Sequence, residues 1–434
     1  MLIAILLSLQ ISPSDTLRLS LDEALARAHT ANTSVRAERA VAQATRQGPL
    51  EASRGLLPTL QLDIQGYRTT DPVAAFGGRL RQEGFSEQDF ALDALNRPDP
   101  FGNWTSAATV QLPLISPEGW FGLAAARHAA DAQAAVADRA AGAVSLQVTQ
   151  TYWGAVLARQ RVGTLDTALA AARAHAQQAD ALRAQGLVTG LDARLARIRA
   201  AETEAQKLTA EAEAQNAVSA LKWLLALSEE TPIGLVDSLT LPVTASCDEA
   251  ECATSNRGDV TALGFGMRAA SSAVRRSWAS NLPSLGAFGT LAHHSGTAPF
   301  GGGSGDWTVG IALTWRPFQG LAGVGAVRRA RAEYEAAAAR HEGAQQQAML
   351  EVVQAVRRSD AARARVGVAE RAAAEAQEAL DQARLRYRTG TSSMTELLDV
   401  QAAATAATMN LLVARHDVLV TGATVDFAYG VQDR

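Results

Sequence analysis

Two cysteines, two adjacent histidines and one row of carboxylates are the residues whose type and spacing could do chemistry. Cys247 and Cys252 lie five apart in the polar connector TASCDEAEC. In an oxidising compartment they could close a small disulfide loop, and in a reducing one they are two thiols. A zinc site there would lack a histidine or a second cysteine pair nearby in sequence. His293 and His294 follow an alternating segment and open a glycine-rich stretch, which reads as two solvent-facing loop histidines rather than a metal site. Glu375, Glu378 and Asp381 recur every three residues, a spacing that gathers them along one side of a helix. They are either a solvated face or, if the chain assembles with rotational symmetry, stacked rings of like charge. There is no phosphate-binding glycine loop with its lysine, no HExxH and no nucleophile elbow. The chain is therefore read as a non-enzyme without cofactor or metal.

The elements that would position these residues are mostly long helices. The 434 residues are alanine-rich with only 5% aromatics, which favours closely packed helices over one thick core. A net charge of −4 gives no electrostatic reason to expect nucleic acid. Residues 1–20 form a signal-like segment built on the apolar run Met1–Ile11, although no basic residue precedes that run. No later run reaches the ~18 apolar residues of a membrane-crossing helix, so any crossing falls to strands. Helical patterns cover 21–52, 119–185, 191–227, 259–279, 322–388 and 395–427. Ser20 and Glu23 form a capping box before the first.

Four segments alternate with a period of two, at about 58–68, 104–115, 282–293 and 307–316. Each has the length of a tilted transmembrane strand. Leu60, Leu62 and Ile64 share one side and Gln61, Asp63 and Gln65 the other; Val309, Ile311, Leu313 and Trp315 oppose Thr308, Gly310, Ala312 and Thr314. Trp104, Trp307 and Trp315 stand at strand ends as candidate membrane-interface anchors. Residues 68–103 and 293–306 read as exposed connections.

A duplication orders these pieces. Leu57-Pro58 recurs as Leu282-Pro283, Trp104 as Trp307, and the turn glycine Gly186 as Gly390. The first repeat spans 21–231 and the second 259–429, joined by the connector 232–258 that holds the cysteines. Gly186, Gly190 and Gly390 read as helix C-caps. Four membrane strands cannot close a barrel, and an open edge in hydrocarbon leaves N–H and C=O groups unpaired. Three copies would supply twelve strands.

With its duplicated halves, Leu56-Leu57-Pro58, QLPLIS at Gln111–Ser116 and the turns RAQGLVTGLDA and RYRTGTSSMTELLDVQ, the chain resembles the TolC-like outer-membrane efflux family over most of its length. The resemblance implies a mainly α protein with a membrane β-barrel portion: a homotrimer whose twelve-strand barrel sits in outer-membrane lipid and continues into a long periplasmic α-helical barrel. It implies a passive export duct coupled to a periplasmic adaptor protein and, through it, to an inner-membrane pump. The adaptor-docking tip would comprise Gly186, Leu187, Gly190, Arg386, Tyr387, Gly390 and Thr391, and the periplasmic gate Glu375, Glu378 and Asp381. The first tip departs from the second in carrying Ala184 where the second has Tyr387. The alternatives are a periplasmic adaptor and a helical scaffold without a membrane barrel.

Overall fold

The computed structural model describes residues 16–241, 257–318 and 320–431. Cys247, Cys252 and most of the signal-like segment lie outside the described residues. Along the chain the elements are β1 (Leu17–Leu19), α1 (Leu21–Ala31), α2 (Thr33–Thr45), α3 (Gly48–Ala52), β2 (Thr59–Thr69), α4 (Pro72–Arg81), α5 (Leu92–Asn96), β3 (Phe101–Ile115), α6 (Pro117–Ala184), α7 (Gly190–Leu224), β4 (Ile233–Leu235), α8 (Gly258–Ala279), β5 (Ser284–Ser295), β6 (Gly303–Thr314), α9 (Ala322–Arg388) and α10 (Met394–Tyr429). They divide into two units. One takes in Met1–Ala42, Ala134–Ala262 and Glu342–Arg434, and the other Gln43–Gln133 and Leu263–His341.

The first unit is helical. α6 and α9 contain 68 and 67 residues, so each is roughly 100 Å long at ~1.5 Å per residue. Alanine makes their packing possible: Ala176 and Ala179 of α6, Ala193 and Ala196 of α7, Ala383 of α9 and Ala404 of α10 form one buried cluster with Leu380, Tyr387, Met394, Leu397 and Leu398. Side chains this small let backbones approach and give up little rotamer entropy. A second core gathers Tyr152, Val148, Val156, Leu221, Leu225 and Ala28. There the Tyr152 hydroxyl lies 2.9 Å from the Leu19 carbonyl and 2.7 Å from Asp237 Oδ2. These contacts pin β1 to β4, a two-stranded parallel ribbon that no periodicity announces because each strand is only three residues long.

The same unit buries an arginine between two half-exposed carboxylates. Arg257, 2% exposed, meets Asp259 through two hydrogen bonds of 3.1 and 2.6 Å and Glu351 through one of 2.8 Å. It also donates to the Ala428 carbonyl at 3.2 Å. Arg139 lies 3.4 Å over the Phe427 ring and donates to the Phe427 carbonyl at 2.8 Å. Residues near the start of α8 are thus tied to α6, α9 and the end of α10.

Several expected boundaries move. The helix expected over 21–52 is three pieces, the first break falling where Asn32 leaves the helical region and its side-chain oxygen accepts from the Ser34 and Val35 amides at 2.9 and 3.3 Å. That local bonding competes with helix continuation. The capping box of Ser20 and Glu23 is present. α7 stops at Leu224, short of the expected 227, with Ala226 at φ +50°. By length and composition alone α10 is apolar enough to cross a membrane, although it holds no run of ~18 apolar residues. Its alanines and valines are interrupted too often to read as one run.

The second unit holds an antiparallel sheet in the order β2-β3-β5-β6. All four strands are displaced from their expected bounds, β3 and β6 starting earlier so that Trp104 and Trp307 lie inside strands rather than opening them. β2 and β6 are the two edges, each unpaired on its outer side in one copy.

Candidate functional site

Register decides what each side of the sheet presents. Leu60 stands opposite Val110, Val110 opposite Gly289 and Gly289 opposite Val309. Directly opposed residues share a face. One face therefore carries Leu60, Leu62, Ile64, Val110, Leu112, Leu291, Trp307, Val309, Ile311 and Leu313, all exposed. The opposite face carries Gln61, Asp63, Gln65, Thr105, Thr109, Thr290, His294, Asp306 and Thr308, in register across the four strands. A water-soluble sheet would bury the apolar side and expose the polar one. Here the apolar side is bare.

The tryptophans belong to this apolar face. Trp104 lies over Gly66, where an added Cβ would stand 2.7 Å from the ring. Trp307 and Trp315 are eight residues apart, about 26 Å along a strand at ~3.3 Å per residue. Tilted by the ~35–45° of a barrel strand, that run rises about 20 Å, most of the roughly 25 Å apolar band that aromatics flank in a membrane barrel. Trp315 follows β6 at the end nearest α9 and donates from Nε1 to the Asn281 carbonyl at 3.2 Å.

His293 and His294 correct the sequence reading, since both are paired residues of β5 rather than loop residues. They face opposite sides. His294, 4% exposed, lies on the polar side, 3.2 Å from Thr105 Oγ1 and 3.1 Å from Asp306 Oδ2. His293 Nε2 is 2.8 Å from the Gly301 carbonyl. Among the described residues no group of three metal-ligating side chains occurs.

The expected exposed connection at 68–103 is also different. It folds into α4 and α5, and Asp71 caps α4 by accepting from the Ala74 amide at 2.7 Å. The cap followed by Pro72 is a helix-start signal that the sequence carried.

The two hairpin tips are built alike. Gly186 and Gly390 have φ of +74° and +73°. In each tip the residue after the glycine bonds back five residues, Leu187 to the Leu182 carbonyl and Thr391 to the Arg386 carbonyl, both at 2.9 Å. This is the Schellman closure that left-handed glycine permits. Gly190 is corrected: it is the first residue of α7, behind the capping box of Thr189 and Asp192, and not a C-cap. Arg386 crosses the second tip to Glu396 at 3.0 Å. Tyr387 packs in the alanine cluster. Burial, then the charge of Asp192, pushes its phenol up. Leu187 is exposed at the first tip.

Gly390→Val is expected to strain the second tip by about 1–2 kcal/mol, because a β-branched residue resists the left-handed region. Amide exchange at Thr391 should then accelerate while exchange in the middle of α9 stays unchanged. Unaltered exchange at Thr391 would show that the turn tolerates the side chain.

Glu375, Glu378 and Asp381 are exposed on α9, away from Leu380, Ala383 and Tyr387, which face the core. Asp381 is 3.4 Å from Arg384, which also donates to Gln401 on α10 at 3.1 Å. Nearby His175 of α6 has a buried Nε2 with no hydrogen-bond partner. Burial, and then Arg384, holds its imidazolium below the usual histidine range.

Solved structures that this fold resembles include outer-membrane proteins. Residues 251–431 match the family model described as outer membrane efflux protein. A membrane protein from Pseudomonas aeruginosa superposes with a TM-score of 0.81 at 22% identity, covering 94% of this chain and 92% of that one. The outer membrane protein VceC of Vibrio cholerae gives 0.78 at 19%, covering 94% and 96%. The open state of the MtrE outer membrane channel of Neisseria gonorrhoeae gives 0.77 at 19%, covering 95% and 89%. No curated protein matches the chain. The family match over the C-terminal part, with the fold shared along nearly the whole chain, bears out the resemblance to the TolC-like outer-membrane efflux proteins.

Proposed function

We propose that this chain is one third of an outer-membrane export duct, a passive efflux channel rather than an enzyme. The observation that carries the reading is the inverted sheet: an apolar face bare along four strands, a polar face opposite, and two free edges. In hydrocarbon the apolar face needs no cover, but both edges must be paired. Because β2 and β6 run in opposite directions, β6 of one copy can pair antiparallel with β2 of the next. Three copies then close twelve strands with the polar faces inward. A periplasmic adaptor and a soluble scaffold fit less well, since either would leave this apolar face in water.

In this reading the helical unit projects into the periplasm, and Trp104, Trp307 and Trp315 anchor the barrel at the lipid interfaces. The tips at Gly186, Leu187, Gly190, Arg386, Gly390 and Thr391 receive a periplasmic adaptor that couples the duct to an inner-membrane pump, with Tyr387 holding the tip from inside. Glu375 and Glu378, with Asp381 partly neutralised by Arg384, line the periplasmic gate as rings of three. A duct that performs no chemistry needs neither cofactor nor metal.

Val309→Pro tests the closure. Proline removes one ladder donor from an edge strand, either toward β5 or toward the neighbouring copy. The unmodified protein is expected as heat-modifiable trimers extracted from the outer membrane, and the variant as monomers at less than about a tenth of that trimer yield. Normal trimer amounts for Val309→Pro would remove β6 from the closing seam.

A further inference from the structure

The connection between β2 and β3 is folded back over the polar face of the sheet. Gln82 Nε2 donates to Asn103 Oδ1 at 2.7 Å and to the Gly102 carbonyl at 3.1 Å. Ser304 of β6 donates to Glu83 at 2.7 Å. Asn103 and Ser304 belong to the polar side by register, with Tyr67 and His294 opposite them, and Asn103 is left 2% exposed. Small residues allow the approach: Ala75 is buried, and a Cβ on Gly78 would stand 2.3 Å from the Phe101 ring. Arg79 pairs with Asp89 inside the connection, so these polar groups hold the segment together and down.

What remains on its outer side is apolar. Ala75, Gly78 and Gln82 follow helical spacing toward the sheet, and Val73, Phe76 and Leu80 follow the same spacing on the opposite side. Val73 is 81% exposed and Leu92 78%. Phe76, Phe85 and Phe90 stack edge to face at 4.7 and 5.0 Å, fixing the turn between α4 and α5. The chain thus spends its polar groups on the sheet and leaves an apolar surface where a water-filled duct would be. Such a surface calls for a partner.

We infer that this partner is the same segment in the other two copies: three caps, each seated on its own sheet, meet by their apolar sides and close the outer end of the duct. The inference rests on the trimeric reading above. A second copy is the occupant the arrangement favours, because the surface lies over the side of the sheet that faces the symmetry axis in a closed barrel. The strands enter from and return to helices at their other ends, so among the described residues this connection and the short Gly296–Gly302 loop are what lies at the outer end.

The test uses the full-length protein in intact cells with Cys247 and Cys252 replaced by serine and Gln61→Cys placed on the polar face as a reporter. Labelling by a membrane-impermeant maleimide added outside reads access through the outer end, whatever the periplasmic end does. The variant Val73→Ser with Leu80→Ser and Leu92→Ser alters only exposed positions and should still form trimers. Its reporter is expected to label at least tenfold faster than the reporter with the native cap. Leu92→Cys in the same cysteine-free background should also give disulfide-linked copies of this chain under mild oxidation. Intact trimers with equal labelling rates would overturn the cap while leaving the duct. Accelerated labelling without cross-linked copies would overturn self-association and point to another occupant. Loss of trimers in the unmodified protein would overturn the duct and this inference together.

Discussion

Ile311→Arg is expected to eliminate the outer-membrane trimer, while Thr308→Arg leaves its amount nearly unchanged. The two positions are three residues apart on β6 and face opposite sides by register, Ile311 with Ala287 and Thr308 with Thr290. Intrinsic strand propensity would rank the two replacements as comparable losses. The bilayer separates them. A guanidinium on the lipid face near the midplane costs about 2–4 kcal/mol per copy, and a trimer multiplies that by three to about 6–12 kcal/mol. On the polar face the same group stays hydrated. It should instead add three positive charges to the lumen, so single-channel recordings of Thr308→Arg should shift toward anion preference. Equal trimer yields for both variants would mean that the apolar face is not in lipid, and the barrel would have to be abandoned.

This contrast was legible in the sequence because period-two alternation is a local signal. Leu60, Leu62 and Ile64 against Gln61, Asp63 and Gln65 already separate the faces, and the register adds only that all four strands agree. The positive-φ turns at Gly186 and Gly390 were legible for the same reason, since a glycine between two long helical patterns has few other uses. Strand limits were less so. Trp104 and Trp307 look like starting points because they are large, yet pairing extends beyond them to Phe101 and Gly303, through glycines and polar residues that hide the alternation.

The features missed are those made by partners distant in sequence. The ribbon of β1 and β4 joins segments more than two hundred residues apart through strands too short to show a period. The packed connection between β2 and β3 looked like a loop because its apolar residues follow helical spacing for only three turns and are broken by glycines that permit close contact. Histidines 293 and 294 looked solvent-facing because the glycines after them hide the strand. Asn32 broke a helix that the pattern on either side continues, since one amide side chain supplies bonds the helix would have supplied.

Arg257→Met is expected to cost the helical unit about 2–4 kcal/mol, the largest effect of a single change outside the sheet. The arginine is almost wholly buried and satisfies Asp259, Glu351 and the Ala428 carbonyl together. Methionine fills much of its volume, so what is lost is the compensation of two carboxylates rather than packing. Breaking a buried ion pair from one side costs about 3–5 kcal/mol. Asp259 and Glu351 are 39% and 40% exposed, and solvent screening reduces the figure. Burial alone would raise both carboxyls. At Asp259 the Arg257 hydrogen bond and the charges of Arg139 and Arg257 outweigh burial; at Glu351 the hydrogen bonds from Gln347 and Arg257 do so, and both groups sit below their ordinary values. Groups lowered in the folded state stabilise it fully above their unfolded values near ~4 and lose that contribution as pH falls through the folded ones. Arg257→Met removes much of this lowering. The difference between native and variant proteins should therefore be widest near neutral pH and shrink as the carboxyls protonate. Amide exchange across the first turns of α8 and the last turn of α10, followed from pH 7 down to about pH 2 so that the scan passes below the unfolded values near ~4, reads this directly. A difference that stays constant over that range would show that Arg257 acts by shape and not by charge.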